Sequence, residues 1–351
     1  MSFGDNGNCV GEILGKPCQG INIMFLIMNE ERLNVGVQSV GLSSGAYLSA
    51  LGYARERKQG VDIRKKSASG EQVPIINHPD VRRNLLGMKA FVDGLRALNY
   101  YTAYCIDMRN AALDESEKKD YDSVVDLLTP LCKAYSSIKG FDVCSNAMNV
   151  FGGYGYCQDY PVEQYLRDQK ITALYEGTNA IHSIDLITRK LKINEGRAFK
   201  MLMSIMDSCI ENARKNPATA SYAKKVLDAK NSFIKATETV TSMLGGGKIP
   251  EAHHDSLAFL EITGDVLLAW MHLWQLTIAD ERLSELFVSA GALTPEDKSA
   301  CMEQNGDAAF YSGKILSSRH YISKLLPLTE ALITTLMVED YPALEIRDVS
   351  F

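Results

Sequence analysis

Proline is scarce in this chain, with 10 in 351 residues, and glycine numbers only 26. So few helix breakers, together with long periodic apolar runs, argue against a strand-and-turn fold and favour an all-α one. The eight cysteines, at 9, 18, 105, 132, 144, 157, 209 and 301, include no C-x-x-C pair. That excludes the usual zinc and dithiol spacings and reads as reduced thiols packed in a cytoplasmic protein. No signal peptide and no run of about 18 uninterrupted apolar residues is visible, so no integral membrane segment is expected. Basic residues are not in excess: 37 Lys and Arg against 43 Asp and Glu give a formal charge of −6, which suits neither nucleic acid nor an anionic membrane. Glu251 and His254 form one E-x-x-H, but a carboxylate-bridged di-iron bundle needs a second copy and two further glutamates. No second copy occurs, so no metal is expected.

What is present concentrates in residues 149–190. Gly152, Gly153 and Gly155 follow an apolar helical run, where glycines end a helix and let backbone N–H groups approach a ligand. Glu176 then stands between Tyr175 and Gly177, just before Ala180, Ile181, Ile184 and Ile187 begin another helix. A carboxylate on so short a turn at a cavity rim is placed to accept a proton. Thr178 can supply an N-cap oxygen, and the free N–H groups of that first turn suit a phosphate or a developing oxyanion.

Four pieces occur in order: Phe-Gly-Gly-x-Gly (151–155), Tyr-Pro-Val-Glu (160–163), Arg167-Asp168-x-Lys170-Ile171 and Tyr-Glu-Gly-Thr (175–178). In sequence and spacing they resemble the acyl-CoA dehydrogenase family. The resemblance implies FAD as cofactor and an acyl-CoA thioester as substrate. Glu176 is then the base for the α-proton, the β-hydride passes to the flavin, and the Glu176 N–H with a flavin ribityl hydroxyl polarises the thioester oxygen. It also places Arg32 near the acyl-CoA site, with Tyr175 and Gly177 lining the acyl cavity. Arg57 would reach the diphosphate of a flavin held mainly by the neighbouring subunit. Asn149, Gly152, Gly153, Gly155 and Thr178 would approach the cofactor. Asn149 and Ala180 stand where members of the family have Gln, leaving Asn179, His182 or water to replace those hydrogen bonds, although His182 also reads as an ordinary core or surface residue. Gln59-Gly60 departs from the family's Phe-Gly.

In chain order, residues 1–22 hold one strand candidate (10–15) and read as the remnant of a β-domain. In the resembling family a helical domain and a β-domain come before this point, so the chain is expected to be the C-terminal part of a longer enzyme. One long helix is predicted from Ile23 to about Lys58, followed by a loop over 59–78. A second helix should run from Pro79 to about Ala112, and a third from about Lys118 through Met148, kinked by Pro130. With a helix over 178–194 these form a four-helix bundle across 23–194. Residues 195–351 show helical runs at about 196–213, 218–244, 252–291 and 307–338, and the stripe Leu257, Leu260, Leu267, Trp270, Leu273, Trp274 reads as core. This part resembles the extra C-terminal helical domain of long-type acyl-CoA dehydrogenases, the 3-methylmercaptopropionyl-CoA dehydrogenase type among them.

The expected partners are acyl-CoA, an electron-transfer flavoprotein, copies of the chain in a homodimer or homotetramer, and a separate N-terminal half. The competing expectations are a non-catalytic helical oligomerisation module and a relative of acyl-CoA oxidase, which differs in letting oxygen reach the reduced flavin. The dehydrogenase reading expects the Glu176 carboxylate to face a hollow, close to the glycine loop and to the Arg57 end of the first helix.

Overall fold

Helix α1 (Gly20–Glu56) is a single 37-residue rod, about 55 Å long at 1.5 Å per residue. One side carries Ala46, Ala50 and Ala54, all fully buried, and their four-residue spacing keeps small side chains on one face for close packing. The computed structural model describes residues 2–63 and 70–351, and the Ser67 to Ser69 part of the expected 59–78 loop lies outside them, as does Met1. Helix α2 (Pro79–Ala111) opens with proline in its first turn and Asp80 beside it, both favourable at a helix start. It runs antiparallel to α1: Arg96 donates to Ser44 at 2.9 Å, and Asn99 crowds Gly36.

Helix α3 (Glu115–Pro130) is capped by Asp114, which accepts from the Ser116 N–H at 3.2 Å. Pro130 brings no N–H to the ladder, and the chain widens directly after it into a π-turn, Leu131–Tyr135, before α4 (Ser136–Phe151) resumes. The expected kinked helix is therefore two helices joined by an inserted residue, one of the recognised ways a helix absorbs a proline. Helix α5 (Pro161–Ile171) was not foreseen. It doubles back along α4, with Val162 in the cluster of Val150 and Phe151 at one end and Gln169 on Gly140 at the other. Helix α6 (Asn179–Thr188) is shorter than predicted. After it Asn194, Glu195 and Gly196 take left-handed backbone angles, which end helical propagation.

The 195–351 part contains α7 (Arg197–Arg214), α8 (Ala220–Gly245), α9 (Ile249–Ser289), α10 (Pro295–Gln304), α11 (Gly306–His320) and α12 (Thr329–Leu336). Helix α9 is apolar enough to pass as a membrane span by length and composition, yet 78% of its most apolar window is buried by other helices. That is the pattern of a core helix. In the predicted stripe Leu260, Leu267, Trp270 and Leu273 are fully buried, whereas Leu257 and Trp274 face outward. The largest apolar core is shared: Leu95, Leu98, Leu128 and Leu186 belong to the same cluster as Phe233, Leu267 and Trp270.

The strand expected at 10–15 is absent, and no strand occurs among the described residues. Val10 and Ile13 are 93% and 75% exposed. A lone extended segment has no neighbour to satisfy its hydrogen-bonding edges, so nothing in this chain holds it as a strand.

Candidate active site

Two constellations stand out, at opposite ends of the long helices. The first is the turn 175–178. Glu176 has φ +56 and Gly177 φ +92. For a glutamate that conformation costs on the order of 1 kcal/mol and persists only where surroundings enforce it. Here they do. Buried Lys133, from the π-turn, donates from Nζ to the Gly177 carbonyl at 2.6 Å. His182 Nε2 lies 3.0 Å from the Glu176 carbonyl, Ser137 donates to Asn179 Oδ1 at 3.1 Å, and the Tyr175 hydroxyl donates to Gln38. A Cβ on Gly177 would crowd the His182 ring, which with the positive φ explains the glycine.

The electrostatics are unusual for a helical bundle. Arg32 on α1 is buried, and its Nε and Nη1 have no partner. Burial lowers its pKa, partly offset by Asp185 and Glu176. Glu176 Oε2 is likewise buried with no partner. Burial, with Arg32 adding to it, brings the Lys133 amine down to about 8. Burial and the same two cations hold His182 down at about 4, so its imidazole is neutral at physiological pH. A carbonyl can only accept, so Nε2 carries the proton and Nδ1, buried and without a partner, does not. Beside the cluster, Asp126 accepts from Lys190 at 2.8 Å and from Asn29 at 3.3 Å. It also lines a partly open cavity of about 550 Å³ with Asn29, Leu33, Arg109 and Thr129.

The second constellation is a groove of about 850 Å³ bounded by Arg57, Asn149, Gly152, Gly153, Tyr154 and His78. Arg57 is the C-cap of α1 and lies 5.5 Å over the Tyr154 ring. Gly152 has φ +64, and neither it nor Gly153 has an atom near the place of a Cβ, so their backbones are open to a ligand. A guanidinium beside bare backbone suits a phosphate group.

The predicted residues thus divide. Glu176, Arg32, Tyr175, Gly177 and Thr178 gather at the strained turn, while Arg57, Asn149, Gly152 and Gly153 gather at the groove. Gly155 joins neither: it is buried against the Met148 carbonyl, where a side chain would not fit. Thr178 sits at the N-cap of α6, but its hydroxyl caps no N–H. The expectation that Glu176 lies close to the glycine loop and the Arg57 end is overturned. Arg32 and Arg57 are 25 residues apart on one helix, about 37 Å, and α5 carries the chain from the glycine loop back to the Lys133 end of α4. No extended dinucleotide spans that distance. Lys133 is not among the predicted residues, although it is the one charged residue in the mostly apolar run from Leu127 to Tyr135, a pattern that marks a buried cation.

Residues 18–192 match the family described as "Acyl-CoA dehydrogenase, C-terminal domain" and residues 202–347 the one described as "Acetyl-CoA dehydrogenase C-terminal like". A butyryl-CoA dehydrogenase of Syntrophomonas wolfei is 33% identical over 93% of this chain and 51% of its own length. The 3-methylmercaptopropionyl-CoA dehydrogenase of Ruegeria pomeroyi is 30% identical over 91% and 50%. The chain therefore spans about half the length of the curated relatives it matches. An acyl-CoA dehydrogenase of Bacillus anthracis, solved in complex with FAD, shares the fold with a TM-score of 0.58 at 20% identity, covering 93% of this chain and 55% of that one. With both helical parts matched and the motifs of 151–178 in place, the chain belongs to the acyl-CoA dehydrogenase family and carries its C-terminal domains.

Proposed function

We propose that this chain supplies the base and the thioester-side wall for α,β-dehydrogenation of an acyl-CoA to the trans-2-enoyl-CoA, with Glu176 removing the α-proton. The observation that carries the reading is the set of orphaned groups at the turn: Glu176 Oε2 and the Arg32 Nε and Nη1 are buried without partners. Each such group costs about 1–3 kcal/mol, so their concentration at one strained turn points to a polar ligand that completes them. The fixed turn presents the carboxylate, Lys133 and His182 hold its backbone, and the aromatic Tyr175 helps to exclude water. The Glu176 N–H polarises the thioester oxygen, which raises the acidity of the adjacent C–H.

Bound FAD supplies the hydride acceptor that no side chain can provide. The groove fits part of that cofactor, since Arg57 and the open backbones of Gly152 and Gly153 offer what a diphosphate needs. Because the groove lies about 37 Å along α1 from Arg32, a flavin serving Glu176 and a flavin whose diphosphate Arg57 held would be different molecules. This supports a homo-oligomer in which Arg57 and the glycine loop serve a flavin held mainly by a neighbouring subunit. An electron-transfer flavoprotein is the proposed electron acceptor, and the cytoplasm the proposed location.

The test is Glu176→Gln in the FAD-loaded, full-length enzyme. Loss of a positioned general base should lower turnover of acyl-CoA by about a hundredfold or more with flavin content retained. Unchanged turnover would remove Glu176 from the mechanism and leave the helical oligomerisation module as the better description.

A further inference from the structure

One short path from the 195–351 part to the Glu176 turn runs through the π-turn. Its two key side chains are two residues apart. Lys133 reaches forward, its Nζ bonded to the Gly177 carbonyl at 2.6 Å. Tyr135 reaches the other way, its hydroxyl donating to Asp265 Oδ1 on α9 at 2.6 Å. Asp265 is itself fixed by partners in the same part: Thr329 donates to its Oδ2 at 3.0 Å, and Tyr321 donates to its backbone carbonyl at 3.1 Å. The five residues of the π-turn are all fully buried.

Glycines on both sides clamp this turn. A Cβ on Gly36 of α1 would collide with the Cys132 carbonyl, and one on Gly264 of α9 would fall inside the Tyr135 ring. A second tie, Ser183 to Ser256 at 2.8 Å, joins α6 to α9 just beyond the site. These contacts fix the π-turn on both sides.

We infer that Tyr135 and Asp265 are positioning residues through which the 195–351 part sets Lys133 against Gly177, and so sets the aim of the Glu176 carboxylate. The inference rests on the reading of Glu176 as the base. It assigns the second helical part a role in the reaction rather than in bulk stability alone. Neither Tyr135 nor Asp265 touches the carboxylate; both act through Lys133 and the backbone of the turn.

The experiment uses the full-length, FAD-loaded enzyme with Tyr135→Phe, Lys133→Met and Lys133→Arg. A displacement of the turn by about an ångström should lower kcat for Tyr135→Phe on the order of ten- to a hundredfold, with KM little changed. Lys133→Met should fall at least as far, and Lys133→Arg should recover part of the loss. Amide hydrogen exchange at residues 175–179 should quicken in Tyr135→Phe and Lys133→Met, while α7 and α8 keep wild-type protection. Wild-type kcat and wild-type exchange at 175–179 in Tyr135→Phe overturn the inference, as does exchange that quickens equally throughout the chain. The exchange result is read without turnover. If Glu176→Gln stays active while Tyr135→Phe still loosens 175–179, the coupling stands and the assignment of the base falls.

Discussion

Two fully buried histidines should make this chain lose stability over a defined pH range. His182 lies behind the Glu176 turn. His272 on α9 donates from Nε2 to the Ala90 carbonyl at 3.0 Å, accepts from Ser318 at 3.1 Å and stacks on Tyr321 with ring centroids 4.6 Å apart. Burial holds each of them down at about 4, against 6.5 for a free imidazole. Between those values the unfolded chain takes up protons that the folded chain refuses, so the contribution is fully present above pH 6.5 and is lost as pH falls toward 4. The gap is worth about 3 kcal/mol per histidine, with a limiting slope of about 1.4 kcal/mol per pH unit each. Asp142 and half-buried Asp265, whose carboxyls are raised chiefly by desolvation, bind protons early in the folded state and oppose the trend. A difference measurement removes them. Urea midpoints across pH 4.5–7.5 for the wild type, His182→Gln, His272→Gln and the double variant should show the slope falling in steps. Equal slopes in the wild type and the double variant would refute the reasoning.

Other outcomes are open to measurement. Gly264→Ala gains about 1 kcal/mol of helix propensity but drives a methyl into the Tyr135 ring, which Asp265 holds by its hydroxyl. Overpacking of about 1–3 kcal/mol should win, so the urea midpoint should drop, and a raised midpoint contradicts the clamp. Thiol labelling should separate exposed Cys9, Cys18 and Cys157 from buried Cys105, Cys132 and Cys144, whose thiols burial pushes up to about 11, 12 and 12. Because Cys157 lines the Arg57 groove, ADP should slow its labelling and not that of Cys9. Equal rates with and without ADP speak against a diphosphate site there.

Much of the fold was legible because its long helices repeat apolar residues at helical spacing over many turns. What stayed hidden was short or local. Helix α5 is polar on most faces and lacks a clear apolar period, although Pro161 and Glu163 in its first turn mark a helix start. Helix α10 carries no apolar stripe, and its one local sign is the Thr294 and Asp297 capping box. The π-turn has no periodic signature beyond Pro130. At the site, the residue types around Glu176 could be read from their motif, and the spacing of Arg32 from Arg57 follows from the one long predicted helix, but the distance of Glu176 from the glycine loop could not be read. It depends on α5 reversing along α4, which is a tertiary event. Lys133 and His182 were hidden for a related reason: what they do depends on burial and on carbonyls distant in sequence.

Helix α1 is also a ruler. Arg32 and Arg57 keep their mutual bearing only because every residue between them is helical, and each residue turns the chain by about 100°. A one-residue insertion near Gly41 would leave both arginines and every other functional side chain in the sequence, yet swing one end a quarter-turn or more relative to the other. Lengthening the rod by a single residue should therefore uncouple the Glu176 turn from the Arg57 groove, although no functional side chain has been altered.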